Sequence, residues 1–222
     1  MDITRLELLS ADLEQQQDFY ANVLELPVRL DAPILEVQAG RTRLFFTHAP
    51  EFDGAYHFAF NIPENQFDAA KRWLSGRIPL LRDESGQEEF HSENWYSDSV
   101  YFKDSAGNVL EFIARHHLEN AVSGEFDSKQ ILNISEIGLP SEDVVGLADE
   151  ICKRLDISVF RQEPNELFTP VGDDNGLLII PIKDRIWIPN SGVPARLLSV
   201  RVEGSLKGKM WEVRGVPYEV VV

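Results

Sequence analysis

Five residues with charged or hydrogen-bonding side chains alternate with apolar residues in strand-like segments. They are Arg5, Glu7, His57, Tyr101 and Glu111. Because successive side chains of a strand point to opposite faces, the apolar neighbours occupy one face and these five the other. Imidazole, carboxylate and phenol groups on one face can hold a divalent cation or act as acid and base. The alternation predicts that the five residues line one cleft.

The segments that position these residues belong to a pattern that the chain repeats. Each copy has a short alternating strand, an acidic helix start and an amphipathic helix, and a Gly-centred turn later leads into an apolar strand. The first strand and helix of each copy lie in residues 6–28, 57–80 and 135–159, and residues 195–202 resemble the start of a fourth copy. Too few residues follow to complete that copy. Such units cannot bury their apolar faces alone, so the copies are expected to pack together.

The expected domain organisation follows from these repeats. Residues 1–116 are predicted to form a complete module, residues 117–129 a linker and residues 130–222 a degenerate, truncated module. The linker is predicted because its Gly, Ser and charged residues show no periodicity. The second copy also contains a polar insertion at residues 83–98, which includes Trp95. It is expected to be a loop that covers an opening of the fold or packs on the second module.

The composition excludes several classes of partner. The chain has 37 acidic and 21 basic residues and a formal charge of -16, which repels nucleic acid and anionic membrane surfaces. No segment approaches the ~20 apolar residues of a membrane span, and the start of the chain lacks the pattern of a secretory signal. The single Cys152 cannot form an intramolecular disulfide. A cytoplasmic location and a small-molecule ligand are expected.

The sequence resembles the vicinal oxygen chelate superfamily, which includes glyoxalase I, bleomycin-resistance proteins and extradiol dioxygenases. The likeness rests on three motifs in order, LELLSADLEQQQDFYANVLELPV (6–28), HFAFNIPEN (57–65) and DSAGNVLEFIAR (104–115). It also resembles two-module glyoxalase-like proteins of bacteria. The resemblance implies an α+β fold in which paired βαβββ modules form curled mixed sheets around a cleft. Because the superfamily hosts many activities, the resemblance does not imply one reaction.

The resemblance also implies metal ligands on the first, fifth and eighth strands. It assigns His57 to the fifth strand and Glu111 to the eighth, a pair that suits Fe, Mn, Ni or Zn. Arg5 occupies the first-strand position, and a guanidinium cannot bind a metal. Glu7 lies two residues later on the same face and is the expected third ligand. The alternative is a metal-free polar cavity in which Arg5 neutralises Glu7 or Glu111.

Further residues of the expected cleft have candidate roles. Glu111 and Tyr101 are the candidate catalytic residues, and Tyr101 either donates a proton to a substrate oxygen or only lines the cleft. Arg5, Asn61 and Trp95 are the candidate substrate-binding residues.

The second module differs from the first at the same three ligand positions. Glu136 occupies the first-strand position, whereas Leu197 and Ile180 occupy the fifth- and eighth-strand positions. Because one of three ligands remains, the second module is expected to lack a site of its own. It is expected to pack on the first module or to support a homodimer.

Two functions are consistent with these observations. The first is a metal-dependent lyase, isomerase or dioxygenase acting on a small oxygenated molecule, which the presence of both His57 and Glu111 favours. The second is metal-free binding or sequestration of a small molecule, as in the bleomycin-resistance proteins. The negative net charge favours the second function with a cationic ligand.

Overall fold

The computed structural model describes residues 1–222, which form three α-helices and fourteen strands in two sheets. The first repeat contains β1 (Asp2–Ser10), α1 (Leu13–Asp18), a π-helical turn (Phe19–Val23), β2 (Val28–Asp31), β3 (Ile34–Ala39) and β4 (Thr42–His48). The second contains β5 (His57–Ile62), α2 (Phe67–Ser75), β6 (Phe90–Ser92), β7 (Ser97–Lys103) and β8 (Val109–Arg115). The third contains a 3₁₀ turn (Ser128–Gln130), β9 (Asn133–Gly138), α3 (Val144–Leu155), β10 (Phe168–Asp173) and β11 (Gly176–Pro181). The truncated fourth contains β12 (Val200–Leu206), β13 (Lys209–Gly215) and β14 (Glu219–Val221), without a helix.

Both sheets contain parallel and antiparallel strand pairs. Sheet A has the order β14-β13-β12-β1-β4-β3-β2, and sheet B has the order β10-β11-β9-β5-β8-β7-β6. The first strand of a repeat pairs in parallel with the last strand of the same repeat, β1 with β4 and β5 with β8. The predicted α+β fold with mixed sheets is confirmed.

The sheets join the repeats in an order that the sequence does not reveal. Sheet A combines the first and fourth repeats, because β1 pairs with β12. Sheet B combines the second and third repeats, because β5 pairs with β9. Each sheet thus takes strands from both sides of the expected linker at residues 117–129. The first strand of each repeat has one edge left unpaired by its own repeat, and that edge must find a partner elsewhere.

Two of the three helices begin at aspartate caps. The Asp12 side chain accepts a hydrogen bond from the Gln15 amide at 2.9 Å, and Asp143 accepts one from the Gly146 amide at 2.9 Å. These bonds satisfy backbone donors that a helix start leaves free. No helix has the length and apolar character needed to cross a membrane.

The main hydrophobic core includes residues of both sheets and all three helices. Leu6 and Phe46 contribute from sheet A, and Phe58 and Phe112 contribute from sheet B. A smaller hydrophobic cluster includes Tyr101, Val109, Phe160, Leu177 and Trp187. Because Tyr101 and Val109 alternate with core residues of β7 and β8, the smaller cluster marks the opposite face of sheet B. The candidate site lies on that face.

Candidate functional site

The opposite face of sheet B contains a cavity of about 310 Å³. Its walls come from the second and third repeats, from the insertion at residues 83–98 and from the segment after β11. Aromatic and aliphatic side chains supply most of the cavity surface, and polar groups lie among them, which is the usual composition of a small-molecule site. The lining residues include His57, Phe90, His91, Trp95, Tyr101, Glu111, Ile113, Glu136, Phe168, Ile179, Arg185, Ile186, Trp187 and Ile188.

Two buried glutamates face each other across the central strand of this sheet. Glu111 on β8 lies opposite Ala59 on β5, and Ala59 lies opposite Glu136 on β9. Tyr101 on β7 extends the same row, because it lies opposite Glu111. Residues directly opposite each other share a face of the sheet. The small Ala59 side chain therefore leaves space between the two carboxyl groups.

An irregularity in β9 contributes to the position of Glu136. The pairing of β5 with β9 shifts register between Ala59 and Phe60, so that Ala59 lies opposite Glu136 and Phe60 opposite Ile134. Ile134 and Ile137 both belong to the main core although they are three residues apart. In a regular strand such residues would point to opposite faces, and a bulge removes this restriction. Glu136 can then face the cavity between two core residues.

His57 is held in one tautomer beside the carboxyl groups. Its Nδ1 lies 3.0 Å from the Val109 carbonyl oxygen, which can only accept, so Nδ1 carries the proton. The Nε2 lone pair remains available and lies 3.8 Å from Oε2 of Glu111. The Trp187 ring covers the imidazole, with ring centroids 4.7 Å apart. A Cβ on Gly138 would lie 2.6 Å from Cη2 of Trp187, so the glycine makes room for this ring.

Burial alters the protonation of the site. It lowers the pKa of His57 to about 4, because the imidazolium would lose its hydration. Burial and then the Glu136 carboxylate raise the pKa of Glu111 to about 8. Burial also raises the pKa of Glu136, but the Arg115 guanidinium opposes the rise. Near neutral pH, His57 is therefore neutral and Glu111 is largely protonated, whereas the contact with Arg115 favours the charged form of Glu136.

Arg115 anchors Glu136 from the end of β8. The guanidinium is fully buried and contacts Oε1 of Glu136 through Nη2. Its Nε donates to Oδ1 of Asn61 at 3.2 Å, while its Nη1 lies 4.0 Å from Oδ1 of Asp174 without a hydrogen bond. The Trp95 ring lies 5.5 Å from the guanidinium carbon. Because a buried charge is costly without a partner, Arg115 and Glu136 depend on each other.

The donor set fits a divalent cation. One ligand atom each of His57, Glu111 and Glu136 lies within 4.8 Å of the other two. A neutral imidazole held by a backbone carbonyl and two carboxyl groups is a common combination around Fe, Mn, Ni or Zn. A bound cation would also compensate the burial of two carboxylates.

The structure does not place Arg5 and Glu7 at this site. Both lie on β1 in sheet A, and neither lines the cavity. Arg5 Nε donates to Oε1 of Glu7 at 2.5 Å, and its guanidinium carbon lies 3.9 Å from the centre of the Phe45 ring. Arg201 and Glu203 of β12 extend the ion pairs on this partly exposed face. β1 belongs to sheet A and β5 to sheet B. Alternation within a strand shows which face a side chain occupies but not which sheet the strand joins.

The other expected contacts divide into two groups. His57, Glu111, Tyr101 and Trp95 line the cavity, and the Trp95 ring also packs on Phe160 at 5.3 Å. The insertion therefore both borders the cavity and contacts the third repeat. Asn61 does not line the cavity; its amide nitrogen donates to the Asp174 carbonyl at 3.0 Å, and its Oδ1 accepts a hydrogen bond from Arg115.

Sequence reasoning missed three residues of the site. Glu136 occupies a ligand position of the third repeat, but its partners His57 and Glu111 lie in the second repeat and not in its own module. Arg115 lies four residues after Glu111 and has the same parity on the strand, so alternation could have found it. Trp187 lies outside the strands, and no periodic pattern indicates its position.

Comparison with known proteins identifies the fold. No protein-family model matches the sequence, and no curated protein matches it. A Bacillus subtilis protein provisionally assigned as a dioxygenase superposes with a TM-score of 0.60 at 19% identity, over 82% of this chain and 64% of that chain. Glyoxalase I from Zea mays superposes with a TM-score of 0.56 at 13% identity, over 96% of this chain and 87% of that chain. The chain has the vicinal oxygen chelate fold.

The resemblance inferred from the three motifs is thus confirmed at the level of fold. At these identities the vicinal oxygen chelate fold alone is established, and one fold can support several reactions. The chain spans 64% of the length of the Bacillus subtilis protein. The activity must therefore be inferred from the residues around the cavity.

Proposed function

We propose that the cavity is an active site in which His57, Glu111 and Glu136 hold a divalent cation and a small oxygenated molecule reacts. The observation that carries this proposal is the orientation of His57. Its Nδ1 proton is directed to the Val109 carbonyl, and its Nε2 lone pair faces a buried carboxyl group 3.8 Å away. A backbone acceptor for the second nitrogen is typical of histidines that bind metals.

The proposed reaction class is that of a lyase, isomerase or dioxygenase. A cation bound by these residues would supply Lewis-acid chemistry to adjacent oxygens of the ligand. Glu111 would take up or release a proton, because its raised pKa lies close to neutral pH. Tyr101 would donate a hydrogen bond, because burial and the neighbouring Glu111 raise its pKa and keep the phenol protonated. The aromatic walls would exclude water from the bound molecule.

A second function is favoured by the contact between Arg115 and Glu136. The guanidinium already neutralises one of the two carboxylates. A cavity balanced in this way can bind a small molecule without a metal, as a sequestering protein of the bleomycin-resistance type would. Metal content separates the two functions.

The experiment is elemental analysis of untagged protein purified without chelators and then incubated separately with Mn, Fe, Ni and Zn. We expect about one equivalent of one metal per chain. His57→Ala and Glu136→Gln should each lose it. Glu7→Gln should retain it, which tests the ligand set inferred from the structure against the set expected from the sequence. His117→Ala is a matched control because His117 is exposed.

Two results would reject the metal site. One is wild-type protein that binds none of the four metals, which would favour the metal-free binding function. The other is loss of metal in Glu7→Gln but not in Glu136→Gln. Thermal unfolding of every variant shows whether a loss of metal reflects a loss of folding.

A further inference from the structure

Arg185 differs from almost every other arginine of the chain because no carboxylate accompanies it. Twelve of the fourteen arginines have a carboxylate oxygen within 4.0 Å. Of the two exceptions, Arg72 is exposed on α2, whereas Arg185 is half-buried and lines the cavity. In a chain with 37 acidic residues, a half-buried guanidinium without a carboxylate is unusual.

The surroundings of Arg185 leave its charge uncompensated. Its Nη1 donates to the Leu167 carbonyl at 3.4 Å, and its guanidinium carbon lies 4.9 Å from the centre of the Phe168 ring. Burial lowers the pKa of Arg185, and no neighbouring charge opposes this change. Neither Glu111 nor Glu136 lies within 4.0 Å of it, and Glu136 is paired with Arg115. The guanidinium therefore retains donors and a positive charge at the cavity wall.

The rest of the wall determines what else a ligand must present. Phe90, Trp95 and Phe168 line the cavity together with Ile186 and Trp187. Apolar and aromatic groups of this kind supply most of the cavity surface and bind a hydrophobic body. A ligand that suits both features has an apolar or aromatic body and one anionic end.

We propose that Arg185 is a specificity-determining residue that binds the carboxylate of an amphipathic ligand whose aromatic or aliphatic body lies against the cavity wall. The inference rests on the proposed function, because it assigns the class of molecule that the cavity accepts. Arginine suits this role because its planar guanidinium can donate two parallel hydrogen bonds to one carboxylate. The Phe168 ring and the Leu167 carbonyl restrict the side chain before the ligand arrives, which reduces the entropy lost on binding.

The test uses three probes of the same shape and different charge. They are 3-phenylpropionate, 3-phenylpropanol and 3-phenylpropylamine, and isothermal titration calorimetry measures their affinities. We expect wild-type protein to bind the carboxylate at least about tenfold more tightly than the alcohol, with the amine weakest. Arg185→Gln should remove this preference and leave the affinity for the alcohol within about twofold. Arg185→Lys should retain part of it, because the charge remains and the two-pronged geometry is lost.

Lys183→Gln is the matched control. Lys183 is two residues away and pairs with Glu142 on the surface at 2.8 Å, so this variant removes a nearby positive charge outside the cavity. Its preference for the carboxylate should equal that of wild type. Thermal unfolding confirms that each variant is folded.

The titrations are run with EDTA and with the metal that binds best, so that this inference and the proposed function fail separately. If the protein binds none of the four metals and its carboxylate preference depends on Arg185, the results support the role of Arg185 and reject the metal site. If a metal binds and the carboxylate preference is unchanged in Arg185→Gln, the results support the metal site and overturn the role of Arg185. The inference is overturned if the carboxylate and the alcohol bind equally, if the preference survives in Arg185→Gln, or if none of the probes binds.

Discussion

Replacing Glu111 by glutamine should change how the stability of the metal-free protein depends on pH. Burial raises the pKa of Glu111 from an ordinary 4.5 to about 8 in the folded chain. Between these two values the folded state holds a proton on Glu111 that the unfolded state has released. The free energy of unfolding of wild-type protein therefore falls as the pH rises through this window.

The size of this fall in the free energy of unfolding follows from the release of one proton. One fully displaced proton changes the free energy of unfolding by about 1.4 kcal/mol for each pH unit. From pH 5 to pH 8 this amounts to at most about 4 kcal/mol for wild type. The side chain of residue 111 in Glu111→Gln is neutral in both the folded and the unfolded state, so the variant does not lose stability in this way. The difference in stability, variant minus wild type, should therefore increase in favour of the variant by up to this amount.

Urea unfolding followed by tryptophan fluorescence, at several pH values from 5 to 8 with EDTA, measures the difference. His57 contributes on the acidic side, because its lowered pKa removes stability as the pH falls below 6.5. Its contribution is common to both proteins and cancels in the comparison. Glu84→Gln serves as the control, because Glu84 is exposed and has no ion pair. Parallel pH profiles for wild type and Glu111→Gln would refute the argument that burial keeps Glu111 protonated.

Two further substitutions test the supports of the site. Arg115→Met should destabilise the fold by about 3–5 kcal/mol in urea unfolding, because it leaves Glu136 buried without its partner. Adding Glu136→Gln to this variant should recover part of the lost stability. A loss below about 1 kcal/mol in Arg115→Met alone would contradict the mutual dependence of Arg115 and Glu136. Gly138→Ala should displace the Trp187 ring and change its fluorescence, because the new Cβ would lie 2.6 Å from it. Gly76→Ala, where the nearest atom would lie 3.6 Å away, should leave the spectrum unchanged.

The two sheets use equivalent strands in different ways. In sheet B the cavity face carries His57 and two buried carboxyl groups under aromatic side chains. In sheet A the face that carries Arg5 and Glu7 bears ion pairs in partial contact with solvent. Paired surface charges contribute little energy and need no ligand. The candidate chemistry is accordingly confined to the pair formed by the second and third repeats.

The repeated strand and helix pattern made the α+β fold predictable from the sequence. Alternation in HFAFNI and VLEFIA correctly indicated that His57 and Glu111 share a face opposite Phe58 and Phe112, because side-chain direction within one strand is a local property. The same argument applied to β7 indicated Tyr101. These residues form the part of the site that belongs to a single repeat.

The third ligand of the site, Glu136, could not be predicted in this way. Glu136 occupies the first-strand position that Arg5 occupies in the first repeat, two residues before Glu7. Local sequence does not state whether β1 or β9 will pair with β5. That choice depends on long-range strand pairing and on the bulge that lets Glu136 face the cavity between Ile134 and Ile137. The sequence alone determined most strands and the face of each side chain in a regular strand, because both depend on neighbouring residues. Only the tertiary structure decided which faces meet, because that depends on the packing of the whole chain.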